Sequence, residues 1–93
     1  MKDCMKQLVT FLINEGDMEY TDHAIYDKKY SDEQIVNNFW FGDDPNIKDF
    51  EEDENTGMYW DGSRLISIYT KQDIDRDKIK IIKDYGVAYE HSI

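Results

Sequence analysis

The sequence predicts a small α+β domain: a short antiparallel sheet, made of a central hairpin and a C-terminal strand, with about three helices packed on it. Three observations carry that expectation. Apolar residues recur at helical spacing in three places, each ending at a glycine (Gly16, Gly42, Gly86). Asp61-Gly62 separates two runs rich in aromatic and β-branched residues. The 93 residues are 40% hydrophobic and 14% aromatic, enough for one core but too few to divide it, so residues 1–93 read as a single domain.

Met5, Leu8, Val9, Leu12 and Ile13 follow the i, i+3, i+4, i+7, i+8 pattern, and Gly16 stands where a C-terminal cap would be; this predicts helix one. From Asp17 to Tyr30 the apolar residues Tyr20, Ala24, Ile25, Tyr26 and Tyr30 keep no period, which reads as a loop with one helical turn. Ser31 and Gln34 have capping-box spacing ahead of Ile35, Val36, Phe39 and Trp40, so helix two is expected to stop at Gly42. Asp43, Asp44 and Pro45 break the chain, and an acidic connection runs to Asn55 with Ile47 and Phe50 as its apolar residues. Met58-Tyr59-Trp60 and Leu65-Ile66-Ser67-Ile68-Tyr69 form the expected hairpin about a two-residue turn. Asp73 can cap helix three, with Ile74, Ile81, Ile82 and Tyr85 on one side and Gly86 at its end, although Ile79-Lys80-Ile81 also alternates as a strand would. Val87 to Glu90 then supplies the last strand.

Charge gives the functional clue. Residues 32–61 hold ten acids (Asp32, Glu33, Asp43, Asp44, Asp49, Glu51, Glu52, Asp53, Glu54, Asp61) and one base, Lys48, a local charge of −9. Residues 1–31 contribute −2 and residues 62–93 contribute +1, which closes on the total of −10. So concentrated an excess creates a field that selects positively charged partners, whereas solubility alone needs only dispersed charge. The same field opposes direct nucleic-acid binding, which depends on Lys and Arg displacing counterions, and opposes anionic lipid headgroups. No apolar stretch nears the roughly 20 residues of a membrane span, the single Cys4 cannot form an internal disulfide, and no leader pattern is visible, so the cytoplasm is the expected compartment.

Catalytic patterns are weak, and no enzyme, cofactor or metal site is expected. His23 and His91 are the only histidines; His91 and Cys4 lie near the two ends, where fraying is usual, and read as an ordinary surface histidine and a small thiol. Asp73, Asp75 and Asp77 match the first positions of a calcium loop ending at Asp84, but Lys78 occupies the position that requires glycine.

The remaining constellation interleaves acids with aromatics. Asp43, Asp44, Asp49, Glu51, Glu52, Asp53, Glu54 and Asp61 are candidate phosphate imitators, with Phe50 as the apolar anchor that gives such a surface selectivity. Phe39 and Trp40 belong with the helix-two core, while Phe41 falls off its stripe and Phe50 has carboxylates on both sides, leaving these two as candidates for exposure. In size, charge and the stretch Asp43 to Glu54 the chain resembles small acidic proteins encoded by bacteriophages that inhibit host machinery, including DNA mimics that block nucleic-acid-binding proteins. The resemblance implies a non-enzymatic inhibitor in the host cytoplasm, whose partner is a basic nucleoid protein, a restriction or CRISPR nuclease, or a polymerase subunit. It rests on overall character and assigns no residue a role. The alternative is a regulatory module that binds protein through the aromatic hairpin residues Tyr59, Trp60 and Tyr69. A homodimer is compatible with either reading if its contact avoids the acidic segment, at the helix-one face or a sheet edge.

Overall fold

The structure, a computed structural model, describes residues 5–42, 51–53, 58–60 and 63–93, with backbone alone at 51–53 and 60. The elements are β1 (Lys6–Glu15), β2 (Met18–Asp27), α1 (Asp32–Phe41), β3 (Glu51–Asp53), β4 (Met58–Trp60), β5 (Leu65–Ile74) and α2 (Arg76–Asp84). The strands form one antiparallel sheet in the order β2-β1-β5-β4-β3. The α+β class holds, with two helices among the described residues where three were expected.

The largest correction concerns residues 5–30, expected to be a helix and a loop. They form a long hairpin instead, paired from Lys6↔Asp27 to Glu15↔Met18. Gly16-Asp17 is its two-residue turn, and Gly16 takes φ 60, a conformation that a residue without Cβ adopts at little cost. Val9, Phe11 and Ile13 are fully buried on one face of β1, while Leu8 packs on the other. Because apolar residues are needed on both faces, Leu8 to Ile13 is nearly continuously apolar, and such a run contains helical spacings by necessity. Its Val, Thr, Phe and Ile content favours the pleated surface.

The two helices cover opposite faces, not one. α1 packs over Val9, Phe11, Ile13, Ala24, Tyr26, Tyr59 and Ile66 through Ile35 and Val36. Each such fully buried side chain contributes about 1.5–3 kcal/mol of transfer free energy. α1 begins as its sequence predicts: Ser31 Oγ accepts from Gln34 N–H at 3.2 Å, and Gln34 Oε1 accepts from Ser31 N–H at 2.9 Å. It ends at Gly42, φ 64. Phe41 proves buried, 9% exposed, and joins the same core.

On the second face α2 sets Ile79 and Ile82 against Leu8, Ile25, Ile74 and Ala88. Its N-cap is Asp75, whose carboxylate accepts from Lys78 N–H at 3.0 Å, and not Asp73. β5 runs on to Ile74, which is 2% exposed within the strand and therefore is not part of the helix. Gly86 N–H donates to Lys83 O and Val87 N–H to Ile82 O, the paired bonds of a Schellman stop.

Beyond that stop, Val87 to Glu90 is not the expected strand. The tail makes one parallel bridge, Ile25↔Glu90, in which Ile25 N–H donates to Tyr89 O and His91 N–H to Ile25 O. His91, expected at a frayed surface, stacks on Tyr26 at 5.4 Å and meets the edge of Phe39 at 5.2 Å. The central hairpin is present as β4 and β5, with Trp60 opposite Leu65, so four residues separate the last paired positions instead of two; Asp61 and Gly62 lie outside the described residues.

Candidate interaction surface

The acidic run begins where α1 stops at Gly42 and reappears as β3, the last strand of the sheet. Glu51, Glu52 and Asp53 pair with Trp60, Tyr59 and Met58 respectively. Their placement follows from how edges behave: an outermost strand has one row of backbone groups without a neighbour, and charged residues there discourage unwanted strand pairing. Of the predicted site residues, β3 thus brings Glu51, Glu52 and Asp53 together; Asp43, Asp44, Asp49, Phe50, Glu54 and Asp61 lie outside the described residues.

The edge is tied to the core through β4. Tyr59, opposite Glu52, is 3% exposed and packs with Ile66 and the α1 residues. This burial removes Tyr59 from the aromatic hairpin surface that the sequence offered as an alternative binding site, because a buried ring cannot anchor a partner. Tyr69 is 68% exposed, at the point where the β1–β5 register shifts.

Beside this region lies an aromatic array built from β1 and α1. Phe11 stacks on Phe39 at 4.8 Å and meets the edge of Trp40 at 5.7 Å, while the Arg64 guanidinium sits over the Trp40 ring at 5.2 Å. Phe39 and Trp40 are packed against the core, as their helical stripe predicts.

Positive charge gathers elsewhere. α2 carries Arg76, Lys78, Lys80 and Lys83 against Asp77 and Asp84, with Lys80 bridging Asp84 at 2.8 Å and Lys83 reaching Glu90 at 3.6 Å. Two further pairs, Lys28 with Asp73 and Lys71 with Asp32, are 2.7 Å contacts of half-exposed side chains. Pairs of that kind contribute little to stability but order the local surface.

One pairing escaped the sequence reading. Thr10 Oγ1 lies 3.0 Å from His23 Nδ1, because Thr10 and His23 are direct cross-strand partners on β1 and β2. Asp22, the adjacent carboxylate, accepts from the His23 backbone N–H at 2.8 Å. Gly16-Asp17 was the signal that could have found it, since recognising that turn fixes the register of all ten pairs. Among the described residues no three His, Cys, Asp or Glu side chains are grouped to hold a metal ion, and no helix is long and apolar enough to cross a membrane. Set against known proteins, the chain matches no family model, no curated protein and no solved structure.

Proposed function

We propose that this protein is a non-enzymatic inhibitor that acts as a DNA mimic, its acidic edge occupying the nucleic-acid-binding site of a basic protein. One observation carries the reading: three consecutive acids, Glu51, Glu52 and Asp53, form the terminal strand of the sheet within a run that holds eight acids and one lysine from Asp43 to Asp61. An extended strand advances about 3.3 Å per residue, and one strand of B-DNA carries one phosphate per about 3.4 Å of axis. A fully acidic strand therefore carries charge at the axial spacing of one of the two strands of the duplex it would displace, with successive side chains on opposite faces. Its mutual repulsion is relieved when Lys and Arg side chains of the partner approach, so neutralisation favours the complex and speeds encounter.

The partner is a nucleic-acid-binding protein with a positively charged groove, of the kind found in nucleoid proteins, nucleases and polymerase subunits, and a bacteriophage origin with action in the host cytoplasm fits such a role. The test is capture of partners by the tagged chain from nuclease-treated bacterial lysate, eluted by rising salt and separately by added duplex DNA. Release of basic DNA-binding proteins by both treatments is the expected result. A triple reversal, Glu51→Lys with Glu52→Lys and Asp53→Lys, is expected to abolish that capture in a chain that still folds; undiminished capture would reject the surface.

A further inference from the structure

Among the described residues, three strands leave backbone hydrogen-bonding groups without a neighbour on one side. β2 and β3 close the two ends of the sheet, and β5, though internal, is paired by β4 only through Ser67, so Ile68 to Ile74 has no second neighbour among the described residues. The three edges differ in charge. β2 carries Glu19, Asp22 and Asp27 with no Lys or Arg, and part of its edge is taken by the tail at Ile25. β3 is wholly acidic. The open segment of β5, Thr70 to Ile74, carries one base and one acid, Lys71 and Asp73, for no net charge.

We infer that this segment of β5 is a self-pairing edge, at which a second copy of the chain docks in antiparallel register centred on Gln72. In that register Lys71 stands opposite Asp73 of the second copy, Asp73 opposite Lys71, and Thr70 opposite Ile74, so the two-fold axis makes the charges complementary twice. For a chain of net charge −10, two copies repel wherever acidic surfaces meet, and the β2 and β3 edges would bring acids against acids. The β5 edge is the one of the three where they do not. A lysine on an exposed edge normally discourages strand addition. Here that same lysine gains a carboxylate, so the gatekeeper admits this partner and not an arbitrary strand.

Lys71 and Asp73 are exposed and held in half-exposed pairs with Asp32 and Lys28, contacts weak enough to be shared across an interface. The shift in register at Thr10/Phe11 leaves the exposed Tyr69 just before the ladder, beside the partner's chain. Joined this way, β2, β1 and β5 of each copy form one continuous sheet. The inference stands on the β5 edge alone and does not rest on the proposed function.

Sedimentation equilibrium of the full chain over a concentration series tests it. The wild type is expected to show a reversible monomer–dimer equilibrium. Lys71→Asp and Asp73→Lys are each expected to raise the dimer Kd by about tenfold or more, since each sets like charges opposite one another twice. Lys71→Asp with Asp73→Lys restores complementarity and should recover the dimer. The two single changes move net charge in opposite directions, so a shared loss followed by recovery cannot come from overall repulsion. A wild type that stays monomeric at every concentration overturns the inference, as does a dimer indifferent to both single reversals or a folded double variant that fails to recover. Far-UV circular dichroism establishes that each variant is folded; should one reversal unfold, the other and the wild-type series decide.

Discussion

At the scale of single residues, structure is dictated most firmly where backbone groups have one available partner. Ser31 and Gln34 exchange hydrogen bonds at the start of α1 and satisfy two donors that would otherwise face solvent unpaired. Ser31→Ala removes the acceptor for Gln34 N–H and is expected to lower stability by about 1 kcal/mol, read as a fall in the urea midpoint with unchanged slope. Gly16 makes the complementary case. A Cβ placed there meets nothing within 4 Å, so the site has room for a side chain, yet φ 60 belongs to the left-handed region. Gly16→Val is expected to cost about 1–2 kcal/mol through the backbone alone, and Gly16→Asn distinctly less, because Asn tolerates this conformation. Equal losses in the two variants, measured by thermal unfolding, would show that space and not φ governs the turn.

At the scale of elements, legibility depended on whether one face or two faces were buried. α1 was readable because one stripe meets the sheet and both ends carry caps. β1 was not: Val9, Phe11 and Ile13 serve one layer while Leu8 serves the other, and their merged run satisfies helix and strand templates together. β2 hid for a different reason. It is mostly exposed from Met18 to Asp22 and buried on both faces from Ala24 to Tyr26, so no alternation develops along it. The tail was misread because its attachment, one parallel bridge at Ile25 and the stacking of His91, depends on where β2 lies, and no local pattern encodes that. For the candidate site, the excess of carboxylates was plain in the composition of residues 32–61, whereas the edge position of Glu51 to Asp53 follows from their hairpin with β4 together with the pairing of β5 to the distant β1 on its other side. Phe41 leaves the helical stripe, so its exposure is open in the sequence, and the last turn of α1 folds it onto the core at 9% exposure.

At the scale of the whole molecule, charge is separated along the chain, with −9 in residues 32–61 and +1 in residues 62–93. A folded domain of net charge −10 holds its charges closer together on average than its unfolded chain does, so self-repulsion is a standing cost in the native state, set against the small net stability typical of a domain. Salt screens that repulsion, with a Debye length falling from about 30 Å at 0.01 M to about 10 Å at 0.1 M. The half-exposed pairs Lys28–Asp73 and Lys71–Asp32 weaken under the same screening, but each is worth little. Repulsion among many like charges therefore outweighs the loss of a few pairs, and stability is expected to rise with sodium chloride across this range, by about 1 kcal/mol or more in urea unfolding. Constant or falling stability would mean that the acids are already neutralised by neighbours in the folded chain, leaving no unrelieved repulsion to favour a basic partner. A short polycation such as oligolysine should raise the melting temperature at concentrations where sodium chloride has no measurable effect, because a ligand that binds the native state in preference to the unfolded one stabilises it by mass action.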